Sequence, residues 1–171
     1  MAVYSLYDAT ITPSRAALVS LKNFLIIAER QSNSSTFLSS KLYEDMRPLT
    51  FQVHYATAQA DKMAAKLSGR EPMPFEENFR SLTDMYSRID QVIETLDNAD
   101  KNTVNRMGET LAPTPVGHDK VEDLPGKILA TAAIMPNIFF HVSMTYAILR
   151  KEGVPLGKKD YMHSFVGKYM K

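Results

Sequence analysis

Cysteine is absent from the 171-residue sequence. Its absence excludes disulfides, thiolate nucleophiles and the zinc or iron–sulfur sites that depend on cysteine ligands. It also fits a reducing compartment, and we expect a cytoplasmic protein. A chain of this length buries roughly 70% of the surface that its unfolded form exposes, so it needs neither a disulfide nor a metal to fold. We expect one domain over residues 1–171.

The sequence also lacks an excess of charge of either sign. Twenty Lys and Arg residues against nineteen Asp and Glu residues leave a formal net charge of +1. No basic block is longer than Lys158-Lys159, whereas nucleic-acid binding requires clustered positive charge. No run approaches the roughly 18 apolar residues of a membrane span, and the N-terminal residues do not resemble a signal peptide. We therefore expect no nucleic-acid partner and no membrane partner.

What the sequence does contain is helical periodicity, which is visible in four segments. In the first, apolar residues recur at steps of seven, three, four and three between Ile11 and Ala28, with a kink or a fresh start expected near Pro13. A second helix is predicted to begin at Pro48, because the fixed φ of proline suits the first helical position, and to stop at Gly69.

The third and fourth helices are predicted from the same kinds of signal. The apolar stripe of the third begins at Phe79, and Glu76 and Glu77 would suit the positive end of its dipole. The fourth is predicted to begin at Pro136 and to end at Gly153.

The connection over residues 98–126 has no sustained period and contains three prolines and three glycines. A long irregular connection with room for a short hairpin is therefore expected, followed by a short helical piece at 127–134. The predicted fold is an all-α, up-down four-helix bundle with a long irregular crossover before the last helix.

The fourth helix and its tail carry a family resemblance. The stretch PNIFFHVSMTYAILRKEGVPLGKKDY at 136–161 resembles the closing motif of an uncharacterised domain-of-unknown-function family in the DinB/YfiT-like helical-bundle superfamily. EDMRPLTFQV at 44–53 and AAKLSG at 64–69 resemble the same family in order and spacing, as does the opening VYSLYDATITPSRAALVSLKNFL. The resemblance implies the bundle fold and frequent dimers, but no reaction.

Many members of that superfamily bind a divalent metal through three histidines, one on the second helix and two, four residues apart, on the last. Here His141 occupies the first position on the last helix, and Thr145 stands where the second histidine is expected. A catalytic metal requires about three protein ligands. The histidine count therefore predicts no metal, and we expect no cofactor.

The remaining histidines do not complete such a site. On the second helix, His54 lies about 140° from Leu49 and is expected to face solvent beside Asp61. His118 lies in the predicted crossover and His163 in the tail, neither at a ligand spacing to another candidate.

A polar ridge on the last helix is the candidate site. Asn137, His141 and Thr145 stand four residues apart on an otherwise apolar helix. Buried polar groups require partners, and Gln52 and Thr57 on the second helix, or Asp45 just before it, could supply them. The ridge either is a hydrogen-bond network that fixes helix register or lines a ligand pocket between helices.

The functional hypothesis is a metal-free, small-molecule-binding enzyme of the isomerase, cyclase or lyase type, acting on a small and largely apolar substrate. His141 would act as general acid or base, because the pKa of an unperturbed histidine is about 6.5. Tyr146 or Asp45 would orient the imidazole or the substrate. The predicted substrate-binding residues are Asn137, Thr145, Gln52, Phe140 and Met144. The alternatives are a degenerate DinB-like metal-dependent transferase and a non-catalytic scaffold that forms a homodimer.

Overall fold

The computed structural model describes residues 4–115 and 119–169. Four long helices dominate it: α1 (Leu6–Glu29), α2 (Leu49–Ser68), α3 (Leu82–Asp97) and, later in the chain, α6 (Met135–Lys151). The shorter helices are α4 (Lys101–Gly108), α5 (Gly126–Ile128) and α7 (Lys158–Val166). Short 3-10 segments lie at Ser34–Ser39 and Gly167–Tyr169, and a π-helical segment at Leu129–Ile134. Strands β1 (Leu111–Pro115) and β2 (Val121–Pro125) pair antiparallel, with Leu111 opposite Pro125.

The four long helices pack around one hydrophobic core. Helices α3 and α6 each lie between α1 and α2, and α7 packs on the outside of α1. The largest side chains of the core are fully buried: Ile11, Leu18, Leu21, Phe24, Leu25, Phe37, Leu49, Met63, Leu67, Met85, Ile89 and Leu96. The predicted all-α four-helix bundle is confirmed.

Capping chemistry explains where the first two helices begin and end. Helix α1 starts with a capping box in which Ser5 Oγ accepts from the Asp8 amide and Asp8 Oδ2 accepts from the Ser5 amide. Pro13 lies inside α1 and does not restart it. Pro48 is the N-cap of α2, and Gly69 ends it with a φ of +70°, a conformation that glycine adopts without steric cost. The predicted bounds of the second helix are therefore confirmed.

The predicted start of the third helix is wrong. Helix α3 begins at Leu82, because Ser81 and Asp84 form a capping box that satisfies its first amides. Residues 70–81, which we call the strap, run without regular structure across the outside of the bundle. Glu76 and Glu77 lie in this strap and not in the first turn of the helix.

The crossover is more regular than the sequence indicated. Asp100 caps α4 by accepting from the Thr103 amide at 2.8 Å. The hairpin β1–β2 follows, and α5, the π-helical segment and α6 then form one continuous helix over Gly126–Lys151. Pro136 therefore lies within this helix and does not open it.

The helix Gly126–Lys151 is also unusually apolar. Its most apolar window has a mean hydropathy of 1.4 and is 33% buried, so it is long and apolar enough to cross a membrane by length and composition. A single helix of this kind is weak evidence for a membrane span, because the mostly buried core helix of a soluble protein passes the same test.

Candidate functional site

His141 and Gln52 form the contact that joins the polar residues of α6 and α2. His141 Nδ1 lies 2.7 Å from Gln52 Oε1, and Gln52 Nε2 donates to the Arg47 carbonyl at 2.9 Å. A carbonyl can only accept, so the Arg47 contact fixes which end of the amide faces His141. Gln52 Oε1 must accept in turn, and Nδ1 of His141 therefore carries the hydrogen.

This arrangement leaves the Nε2 lone pair of His141 available. Burial lowers the pKa of His141 to about 4, so the imidazole is neutral at physiological pH. A neutral imidazole with its hydrogen on Nδ1 has an acceptor at Nε2. The residue is 7% exposed, so it is almost completely enclosed.

Three aromatic rings surround the imidazole, and we call Phe51, Tyr55 and Phe140 the aromatic cluster. Their centroids lie 5.9, 4.5 and 5.1 Å from that of His141. Phe51 and Tyr55 stack on each other at 5.4 Å, and the Arg47 guanidinium lies 4.5 Å from the Phe51 centroid. Phe140 is 53% exposed, whereas Phe51 and Tyr55 are half-buried. Sequence reasoning missed Phe51 and Tyr55, although their four-residue spacing on either side of Gln52 places them on one face of α2.

The other polar residues of the predicted ridge bond within their own helix. Thr145 is fully buried and donates to the His141 carbonyl at 3.0 Å. Asn137 donates to the Ala133 carbonyl at 2.9 Å. Met144 is partly buried. Of the predicted substrate-binding residues, the structure therefore places Gln52 and Phe140 in direct contact with the His141 ring, and Thr145 one turn further along.

Two predicted catalytic residues do not reach His141. Tyr146 packs edge-to-face on Phe24 of α1, with ring centroids 5.6 Å apart, because five residues of helix rotate it about 140° from His141. Asp45 is exposed in the loop before α2 and makes no hydrogen bond or ion pair with any residue that the structure describes. Tyr146 and Asp45 are therefore not placed to orient the imidazole as the hypothesis required.

The expectation that His54 faces solvent beside Asp61 is wrong. His54 is half-buried beneath the strap, and its Nδ1 is buried with no hydrogen-bond partner among the described residues. Burial and the nearby Arg88 guanidinium lower the pKa of His54. Asp61 is 1% exposed and accepts from Arg70 Nη2 at 2.5 Å and from the Met73 amide at 2.7 Å. The strap, whose path is not visible in the helical pattern, covers this face of α2.

Within residues 4–115 and 119–169 there is no group of three or more His, Asp or Glu side chains that could hold a metal ion. The residue on α2 that contacts His141 is Gln52. A metal site at this position would require a metal ligand there, such as a second histidine. His118 lies outside the described residues. Five surface clefts have volumes of 260 to 430 Å³, and His141 lines none of these five. The imidazole is thus enclosed by side chains at a shallow aromatic surface.

Comparisons with known proteins agree with this architecture. The structure of a DinB family member from Shewanella denitrificans is similar, with a TM-score of 0.81 and 27% sequence identity over 92% of this chain and 91% of that one. A comparison with curated protein sequences gives no significant match. Residues 6–162 match the domain of unknown function DUF1993. The chain is therefore a member of the DUF1993 family, with the fold of a DinB-like helical bundle.

Proposed function

We propose that this protein binds a small, largely apolar molecule at the aromatic cluster and that His141 acts on that molecule through Nε2. The observation that supports the proposal is an imidazole held in one tautomer by Gln52 and surrounded by three aromatic rings. The same hydrogen bond leaves Nε2 free to accept a hydrogen bond from a ligand.

The chemistry of the cluster suggests the ligand class. Aromatic rings favour offset-stacked or edge-to-face contacts with another ring, and such contacts add about 0.5–1.5 kcal/mol beyond area burial. Nε2 can accept one hydrogen bond. A planar molecule with an apolar ring and a single hydroxyl or N–H donor would satisfy both features.

For a reaction, the lowered pKa makes His141 a base in its resting state and not an acid. An imidazole with a pKa of about 4 carries no exchangeable proton on Nε2 at neutral pH. Removal of a proton from the substrate creates a negative charge beside the ring. That charge stabilises the imidazolium form, so protonation of His141 Nε2 becomes favourable. We propose a metal-free proton abstraction of the isomerase or lyase type.

A second candidate is a scaffold that forms a homodimer through the same surface. Phe140 is 53% exposed and Ile128, on the same continuous helix, is 43% exposed. A contiguous exposed apolar patch often marks a protein–protein interface, so this candidate requires that the two residues belong to one patch. Sedimentation equilibrium of the wild type and of Phe140→Asp tests this candidate: a dimer that becomes a monomer in the variant supports it.

The ligand proposal is tested by titrating the protein with phenol, which has one ring and one donor. We expect phenol to shift the ¹⁵N resonance of His141 Nε2, as recorded by long-range ¹H–¹⁵N correlation, because the hydroxyl donates to that atom. His141→Ala and Phe140→Ala should each weaken phenol binding by about tenfold, the factor that corresponds to 1.4 kcal/mol.

The matched control is Phe139→Ala. Phe139 is the adjacent aromatic residue, but its ring faces Phe165 of α7 at 6.2 Å and not His141. This variant should bind phenol as the wild type does. An unchanged Nε2 resonance at saturating phenol would remove the proposal.

A further inference from the structure

We propose a second ligand site, separate from His141, in the cleft between the strap and α3, where Arg80 and Arg88 bind the oxyanion of a small organic carboxylate or phosphate. The cleft has a volume of about 430 Å³, within the usual range for small-molecule sites. The residues that line it include Arg80, Arg88, Asn78, Gln91 and Phe79.

Arg88 is the first observation. Its guanidinium is half-buried and lies 4.0 Å from the Phe75 centroid and 5.2 Å from the Phe79 centroid. Nη2 donates to the Glu76 carbonyl at 3.2 Å, while Nη1 is buried and has no acceptor among the described residues. Arg88 also forms no ion pair with a described carboxylate. A partly desolvated cation without a counter-ion is costly, and a bound anion would offset that cost.

The charge balance of the cleft is the second observation. Arg80 is exposed, and its positive charge helps to lower the pKa of Asp84 on the same cleft wall. Asp84 is the acidic residue of the cleft wall, and its Oδ2 already accepts from the amides of Arg80 and Ser81 at 2.7 and 3.0 Å. Two arginine residues and one aspartate therefore line the cleft, which leaves it with a net positive charge. Arginine binds carboxylate and phosphate through paired N–H donors, so an oxyanion is the complementary ligand.

The other residues of the cleft suit the organic part of such an anion. Phe79 offers an apolar surface beside the guanidinium groups, and the amides of Asn78 and Gln91 can donate to or accept from further polar groups. This ligand differs in charge from the one proposed for His141.

The rival explanation is an internal water. His54 Nδ1, which is also buried without a partner, lies on the α2 side of the strap. One water bridging His54 Nδ1 and Arg88 Nη1 would satisfy both atoms without any ligand. The two explanations differ in whether an added anion binds.

The experiment is isothermal titration of the full chain with inorganic phosphate and, separately, with benzoate, at ionic strength held constant with chloride. Saturable binding of either anion is expected, and the anion that binds identifies the ligand as a phosphate or a carboxylate. Arg80→Gln and Arg88→Gln should each weaken binding by at least about tenfold, as the loss of a charge-assisted hydrogen bond predicts. Arg80 is exposed, so its variant tests the site even if Arg88→Gln does not fold.

Two controls separate this site from other causes. Arg106→Gln removes an arginine from α4, outside the cleft, and should leave anion binding unchanged. His141→Ala should also leave it unchanged, so a failure of the His141 proposal and a failure here can be told apart. Absence of saturable binding by both anions would overturn the proposal in favour of the bridging water. Equal weakening by Arg106→Gln would overturn it by showing that the anion binds outside the cleft.

Discussion

Lowering the pH from 6.5 to 4 is expected to remove roughly 3 kcal/mol of the unfolding free energy through His141 alone. Burial lowers the pKa of His141 from 6.5 to about 4 in the folded protein, and each unit corresponds to about 1.36 kcal/mol. Below pH 6.5 the unfolded chain binds a proton that the folded chain does not, so acid favours unfolding. The loss begins near pH 6.5 and is complete near pH 4.

Among the described groups with a resolved pKa shift, His54 is the one that titrates in the same window as His141. The pKa of His54 is also lowered, so it adds a loss of the same sign. The pKa values of Asp8, Asp84 and Asp100 are lowered from 3.8, mainly by hydrogen bonds to their carboxylates. Their stabilisation is fully present above the unfolded value and disappears only as the pH falls through the lower folded values.

The measurement is urea unfolding at a series of pH values, together with an NMR titration of the imidazole C–H resonances. His141→Asn can still donate to Gln52 but cannot take up a proton, so its unfolding free energy should change much less over this range. His54→Asn is the matched control and should retain the part of the pH dependence that belongs to His141. If His141→Asn keeps the full wild-type dependence, the imidazole is not the group that responds to acid.

The sequence predicted helix boundaries well where one residue decides them locally. Pro48 and Gly69 bound α2 as expected, because each acts through its own backbone conformation. The start of α3 was predicted too early, since the apolar spacing around Phe79 extends into the strap. The deciding signal, Ser81 followed three residues later by Asp84, is present in the sequence and outweighs periodicity.

Some contacts of the candidate site were likewise predictable from the sequence, and others were not. The partnership of Gln52 with His141 could be anticipated, because both lie toward the interface of two helices that the fold class places side by side. The surroundings of His54 could not, because they depend on the path of the strap, which has no periodic pattern. The position of Asp45 likewise depends on a loop. Side chains on helices are predictable from rotation along the axis, whereas contacts made by irregular segments are set by tertiary packing.

Asp61→Ala is expected to lower the unfolding free energy by about 3 kcal/mol. Asp61 is 1% exposed and accepts from both the Arg70 guanidinium and the Met73 amide. Removing one partner of a buried pair typically costs about 3–5 kcal/mol, because the other partner is left unpaired. The Arg70 side chain is 34% exposed, so water can replace part of the lost contact. The expected loss of unfolding free energy therefore lies at the lower end of this range.

The same substitution should loosen the strap specifically. The Met73 amide loses its acceptor, so its hydrogen exchange should accelerate more than that of amides within α6. The matched control is Asp90→Ala, which breaks an ion pair with Lys22 in which the Asp90 side chain is 53% exposed, and such surface pairs contribute under about 1 kcal/mol. Because the strap encloses the His54 and Arg88 side chains, Asp61→Ala should also expose His54 Nδ1 while leaving the His141 resonances unchanged. A cost no greater than that of Asp90→Ala would mean that Asp61 does not anchor the strap.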